Sequence, residues 1–282
     1  MSKQSLREIA LEVGTDKQRN HSYADHYERH LSHLRQRSIT LLEIGIGGYM
    51  DPNSGGESLR MWKAYFPRAQ VVGIDIHSKV GIDEARITSL QGDQSDPTFL
   101  AEVAARFGPF DIIIDDGSHI CEHVITSFRN LFPHLTDDGI YAIEDLQTSY
   151  WWKGYGGSSS ADRSTTTMAF LESLVDGLNY AELDVPNYQP TPLDRSITSL
   201  AFYHNLAFIQ KGSNEEASNV MPAHPRPRSI YAAPEPGPAW RDSDNRLHGW
   251  LRRVVPRPIR RAVMNPLRRA RALIFKAKSR AS

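Results

Sequence analysis

A single cysteine, Cys121, among 282 residues excludes an internal disulfide and any zinc site built on several thiolates. A metal held by this chain therefore rests on carboxylate oxygens or imidazole nitrogens. No run of 18 apolar residues occurs, and the opening stretch MSKQSLREIALEVGTDK has charges where an export signal needs an apolar segment. A cytoplasmic protein without a membrane-spanning helix is expected. Net charge is lacking too, since 33 Lys and Arg balance 33 Asp and Glu. The balance is uneven along the chain: the last 42 residues hold 13 of the basic side chains and two acids, Asp242 and Asp244, leaving 20 basic against 31 acidic in residues 1–240. An acidic body lacks the clustered Lys and Arg that track phosphates, so no nucleic-acid partner is expected.

What is present is a succession of short apolar runs, with 40% of the residues apolar and so enough to build a core. SITLLEIG, AQVVGIDI, ARITSLQGD, FDIIIDDG and GIYAIEDL read as five buried strands. Helix-length segments at 55–66, 97–107 and 119–132, and a shorter connection at 77–85, separate them. That alternation predicts a doubly wound, mostly parallel α/β sheet covered on both faces. STTTMAFLESLVDGLNY predicts a further helix, and SITSLAFYHNLAFIQKG a closing antiparallel hairpin turning at His204-Asn205. Residues 1–37 read as a helical segment covering the site, with Leu6, Ile9, Ala10 and Val13 at helical spacing before Gly14. The α/β domain is expected over 38–213, a proline-rich linker over 214–240 and a basic tail over 241–282.

The first strand ends LLEIGIGG, placing Glu43, Gly45 and Gly47 at the edge of the sheet where doubly wound folds bind nucleotides. Asp75 closes the second strand and suits the two ribose hydroxyls, while Gly92, Asp93 and Gln94 after the third face the adenine. Asp75 lies 30 residues after Gly45, where a dinucleotide fingerprint has its acid about 20 residues on. The acidic Glu43 also suits a sulfonium cofactor better than a pyrophosphate. S-adenosylmethionine is therefore favoured over NAD.

Asp115 and Asp116 end the fourth strand, and Glu144 and Asp145 the fifth. Neighbouring strands lie about 4.8 Å apart, so four carboxylates crowd together and repel unless a proton or a cation sits among them. A hard cation such as Mg²⁺ matches oxygen ligands and polarises a substrate hydroxyl, and His119, a residue type that titrates near neutral pH, is placed to take the proton. Ser118 is expected to cap the following helix, His123 and His134 to be structural, and Cys121 to pack. A competing reading of the same glycine turn, an NAD(P)-dependent oxidoreductase, lacks a Tyr-x-x-x-Lys pair; a non-catalytic nucleotide-binding module docked to membrane leaves His119 and the acids without a task.

GTDK, LLEIGIGG, GIDI, DDGSH and IEDLQTSYW together resemble the metal-dependent sugar O-methyltransferases of the macrocin and mycinamicin type, over roughly residues 10–212. The resemblance implies a Rossmann-like class I methyltransferase fold. It implies Mg²⁺ on Asp116, Glu144 and Asp145, His119 as general base, and S-adenosylmethionine held by Asp75 and the Gly45–Gly47 turn; Asp115 is also expected on the cofactor surface. A sugar or glycoside acceptor follows, and a homo-oligomer is expected.

Three further groups point to the acceptor. Thr15, Lys17 and Tyr23, beside His21, are candidates for folding over the cofactor or shaping the acceptor pocket. Trp151, Trp152 and Tyr155, in the glycine-rich stretch SYWWKGYGG, suit stacking on a sugar face in a movable loop. In the tail, Leu247, Trp250, Leu251, Val254 and Val255 recur at helical spacing among arginines, a pattern that suits an anionic membrane surface and hence a lipid-linked acceptor.

Overall fold

The computed structural model describes residues 4–158, 163–183 and 185–218, and the basic tail lies outside the described residues. Seven strands form one sheet in the order β3-β2-β1-β4-β5-β7-β6. Five of them, β1 (Thr40–Ile44), β2 (Gln70–Asp75), β3 (Ile87–Gln91), β4 (Phe110–Asp115) and β5 (Leu135–Ile143), run parallel to one another. They are the five apolar runs of the sequence, continuous because strands covered on both faces have no polar side to show. The hairpin β6 (Ile197–Tyr203) and β7 (Leu206–Lys211) joins antiparallel on β5, as expected. Its turn falls at His204-Asn205, with Asn205 left-handed at φ 61°.

Successive side chains of a strand leave opposite faces, and the sheet sorts its cores accordingly. Leu41, Val71, Ile112, Ile114 and Ala142 point to one side, where α1 (Leu6–Val13), α3 (Ala24–Leu31) and α4 (Glu57–Tyr65) cover them with Leu6, Tyr27 and Trp62. Leu42, Ile113, Tyr141 and Ile143 point to the other, beneath α5 (Pro97–Phe107), α6 (Cys121–Leu131) and α7 (Thr167–Leu178), where Leu100, Phe128 and Leu171 meet them. The amino-terminal segment is thus part of one hydrophobic core as well as a neighbour of the site. Its first helix starts at a capping box in which the Ser5 Oγ accepts from Glu8 N and the Glu8 carboxylate accepts from Ser5 N, and it ends at Gly14, φ 82°. Residues 77–85 form no helix and pass as an irregular connection with an isolated bridge from Glu84 to Ile87.

Candidate active site

The parallel strands end in register: Ile44 pairs with Ile74 and Asp115, and Asp115 with Ile143. The ladder runs one residue further, because Gly45 N donates to Ile74 O, Asp116 N to Ile44 O and Glu144 N to Asp115 O, at 2.8, 2.9 and 2.9 Å. Four chain segments therefore leave the sheet side by side. Between them opens a cavity of about 600 Å³.

Backbone closeness shapes one half of this cavity. Gly45 is left-handed at φ 80°, and a Cβ there would sit 2.1 Å from the carbonyl oxygen of Asp116. Gly48, at φ 74°, is pressed in the same way against the carbonyl of Ser54. A side chain at either position would push the turn apart or fill the cradle. Asp75 supports the turn with both oxygens, accepting from Ile46 N at 3.1 Å and His77 N at 2.8 Å, and it lines the cavity. Gly92, Asp93 and Gln94 line it as expected, with Gly45 and Gly47. Two bonds from Ser95 hold the Asp93 carboxyl below the usual range.

The other half is acidic and imidazole-rich. Asp116, His119 and Asp145 each offer a ligand atom, all within 4.8 Å of one another. His119 Nε2 lies 3.7 Å from Asp145 Oδ2, and His21 Nδ1 lies 3.6 Å from Asp145 Oδ1. Both His119 and Asp145 adopt left-handed backbone conformations, φ 56° and 52°, which costs side chains of their kind little and turns them off the strand ends into the cavity. Oxygen and nitrogen donors so grouped match a hard divalent cation.

Three expected residues are buried behind this wall. Asp115 alternates to the far face of the sheet, so it does not join the cofactor surface. It accepts from Ser127 Oγ, from Gln94 Nε2 at 3.1 Å and from Tyr141 OH at 3.3 Å, and burial pushes its pKa up to about 6. Glu43 and Glu144 share the face of Asp116, yet both are sealed from the cavity around the ammonium of Lys17. Lys17 Nζ lies 2.7 Å from Asp116 Oδ2, 2.6 Å from Glu144 Oε1 and 3.0 Å from Glu43 Oε1. Tyr27 OH donates to the same Glu144 oxygen at 2.6 Å, and Trp62 Nε1 donates to Glu43 at 3.2 Å. Burial opposes the Lys17 charge, but the three carboxylates outweigh it and hold its pKa well above the ordinary lysine value. Burial likewise raises all three carboxyls, Glu144 most clearly because Asp116 adds repulsion.

The amino-terminal candidates are placed differently from one another. Thr15 lines the cavity and caps the short α2 (Asp16–Arg19), its Oγ1 accepting from Lys17 N. Lys17, expected over the cofactor or acceptor, is instead fully buried. Tyr23 is buried and donates to Asp145 Oδ1 at 3.1 Å; burial and that carboxylate raise its pKa. Trp151 and Trp152 are exposed, and Trp151 meets Tyr155 edge-to-face at 5.5 Å. None of the three aromatics lines the cavity, but Cys121 N donates to Tyr155 O at 2.9 Å, anchoring their loop two residues from His119. Ser118 is not the α6 cap residue, which is Ile120; its Oγ accepts from Ile120 N at 3.3 Å.

Of the cavity histidines, His21 was among the amino-terminal candidates, whereas His77 and His123 were missed, as was Tyr27 as a partner of Glu144. The HSY stretch gave a signal for His21. His123 was taken as structural, yet it lines the cavity from the first turn of α6, its Nδ1 3.1 Å from Ser118 Oγ.

The strand order, the antiparallel last pair and a glycine-lined cavity at the carboxyl edge of the parallel strands define a class I methyltransferase fold. No family profile matches the chain. Individual relatives do: it is 50% identical over 198 residues to the mycinamicin VI 2''-O-methyltransferase of Micromonospora griseorubida, covering 70% of this chain and 49% of that protein. It is 48% identical over 210 residues to the 8-demethyl-8-α-L-rhamnosyl tetracenomycin-C 2'-O-methyltransferase of Streptomyces olivaceus, covering 74% and 55%. The crystal structure of the MycE methyltransferase of the mycinamycin pathway, with Mg, SAH and mycinamycin VI, superimposes with a TM-score of 0.76 at 46% identity, over 80% of this chain and 58% of that one. Over these residues the chain is similar to macrocin- and mycinamicin-type sugar O-methyltransferases, and it spans about half the length of the curated relatives it matches.

Proposed function

We propose that the protein transfers a methyl group from S-adenosylmethionine to a sugar hydroxyl of a glycoside with the help of Mg²⁺. The observation that carries this reading is the meeting, in one cavity, of a glycine cradle backed by Asp75 with the cluster Asp116, His119 and Asp145. The cradle leaves no room for a Cβ at Gly45, and the donor set is oxygen and imidazole, so the residues fit both groups. Gly45, Gly47, Asp75, Gly92, Asp93 and Gln94 would hold the methyl donor. Asp116 and Asp145 would hold the cation, with Glu144 behind them.

Bound there, the two groups supply an electrophilic methyl and a Lewis acid that acidifies the acceptor hydroxyl. His119 takes the hydroxyl proton on Nε2, and Asp145, 3.7 Å away, stabilises the positive charge the ring gains. With its side chain 22% exposed, the ring can return that proton to water. Trp151 and Trp152, on the loop anchored beside α6, offer the flat faces on which sugars stack. The two relatives are named for the 2'' oxygen of mycinamicin VI and the 2' oxygen of a rhamnosyl tetracenomycin, which supports a hydroxyl acceptor on a glycoside.

Calorimetry with S-adenosylmethionine and NAD⁺, each with and without Mg²⁺, tests the cofactor; binding of NAD⁺ alone would overturn the reading. A panel of desmethyl glycosides, followed by mass spectrometry for a methyl increment, tests the reaction. His119→Ala should reduce methyl transfer about 10²- to 10⁴-fold and spare cofactor and metal affinity. Lost metal affinity would make His119 a ligand instead.

The basic amphipathic repeat at 241–282 supports a second part of the proposal, a peripheral contact with anionic membrane that would bring a lipid-linked acceptor within reach. No helix among the described residues is long and apolar enough to cross a membrane. Deleting residues 240–282 should release the protein from liposomes containing anionic lipid, and unchanged co-sedimentation would refute the contact.

A further inference from the structure

Lys17 is among the largest fully buried side chains among the described residues and touches neither the cavity nor solvent. It comes from α2, a single turn started by Thr15 and fastened where Tyr23 N donates to Lys17 O at 2.7 Å. Its three N–H donors face three carboxylates that belong to three different strand ends, β1, β4 and β5. Of those three only Asp116 reaches the cavity, its side chain 20% exposed against 0% for Glu43 and 2% for Glu144. A carboxylate with one oxygen fixed from behind has the other free to face forward. Each such bond is charge-assisted and short, so it restrains direction as well as distance.

We propose that Lys17 is a positioning residue: anchored itself by Glu43 and Glu144, it holds one oxygen of Asp116 and so sets how that carboxylate presents its other oxygen to a divalent cation. The amino-terminal segment, and not the sheet alone, then determines the geometry of the cation site. This rests on the reading that Asp116 and Asp145 hold such a cation. Outer partners of metal ligands characteristically change metal affinity about 10- to 100-fold when removed.

Charge and geometry predict opposite outcomes here, which makes the proposal testable. Removing a positive charge 2.7 Å from Asp116 should, by Coulomb attraction alone, tighten a divalent cation. Removing a clamp should loosen it. Lys17→Met by itself strands three buried acids and endangers folding, so the informative variant is Lys17→Met combined with Glu43→Gln, with Glu43→Gln alone as its control. Mn²⁺ binding, followed by the loss of free-ion paramagnetic resonance signal, should weaken about 10- to 100-fold in the double variant. It should stay unchanged in Glu43→Gln, with S-adenosylmethionine affinity retained in both. Lys17→Arg, which keeps charge and donors, should recover part of the loss. Equal or tighter Mn²⁺ binding by a folded double variant, against a wild type that binds, would overturn the clamp and leave the cation reading standing. A wild type that binds no Mn²⁺ would overturn both.

Discussion

Asp115 and Asp116 are consecutive residues with opposite fates. Asp115 turns toward α6, where its hydrogen-bond donors are neutral: Ser127, Gln94 and Tyr141. Asp116 turns toward the amino-terminal helices and meets an ammonium. On the first side a buried acid is tolerated by shifting its pKa upward, burial outweighing the hydrogen bonds that pull the other way. On the second, three acids gather and a lysine brought from outside the sheet answers them. The sheet thus carries a network of neutral donors around Asp115 on one face and a charged network, reaching the cavity through Asp116, on the other. One residue of strand period separates the two.

The comparison can be broken most severely at its charged side. Lys17→Met should cost about 3–5 kcal/mol of stability, the usual consequence of removing one partner from a buried ion pair, read from denaturant midpoints. A loss near zero would mean that the carboxyls are protonated and need no cation. Gly45→Ala comes next, because the added Cβ meets the carbonyl of Asp116 at 2.1 Å and the backbone is left-handed. About 1–3 kcal/mol is expected, together with loss of S-adenosylmethionine binding by calorimetry. On the neutral side, Ser127→Ala removes one donor to Asp115 and should cost about 1–2 kcal/mol while leaving Mn²⁺ affinity as it is. A changed Mn²⁺ affinity would show that the two faces are coupled.

The smallest effect concerns α3, on the charged face. His30 stacks on Phe208 at 4.2 Å and its Nε2 sits 2.9 Å from Tyr203 OH. Burial, then Arg29, lowers its pKa below the ordinary value of 6.5. A histidine whose folded pKa is depressed contributes stability that is present above its unfolded pKa and is lost as the pH falls through the folded one. Melting temperature should therefore fall from pH 7 toward pH 5, and less steeply in His30→Gln. Parallel curves for the two proteins would remove His30 from the account.

The sheet was legible because strands buried on both faces leave unbroken apolar runs, and LLEI, VVGID and DIIID have no competing periodicity. The glycine turn and Asp75 were legible because their roles follow from position in such a sheet. Asp115 was misplaced for a reason the sequence contained: counted from Ile113 and Ile114, its parity differs from that of Asp116, and strand alternation sends it to the other face. Lys17 was singled out, but its buried role was not legible. Its partners lie 99 and 127 residues along the chain, and a four-residue helix has no hydrophobic period to announce a buried face. The acidic wall was expected to need an inorganic cation for balance; part of that balance is a side chain.

The aromatic loop after β5 closes on its own stem, with Gly157 N donating to Trp151 O at 3.1 Å and Ser158 N to Ser149 O at 3.0 Å. Such a stem behaves as a socket. The backbone groups that fasten it belong to Ser149, Trp151, Gly157 and Ser158, so residues 152–156 hang outside the stem, tied back to the start of α6 where Cys121 N donates to Tyr155 O.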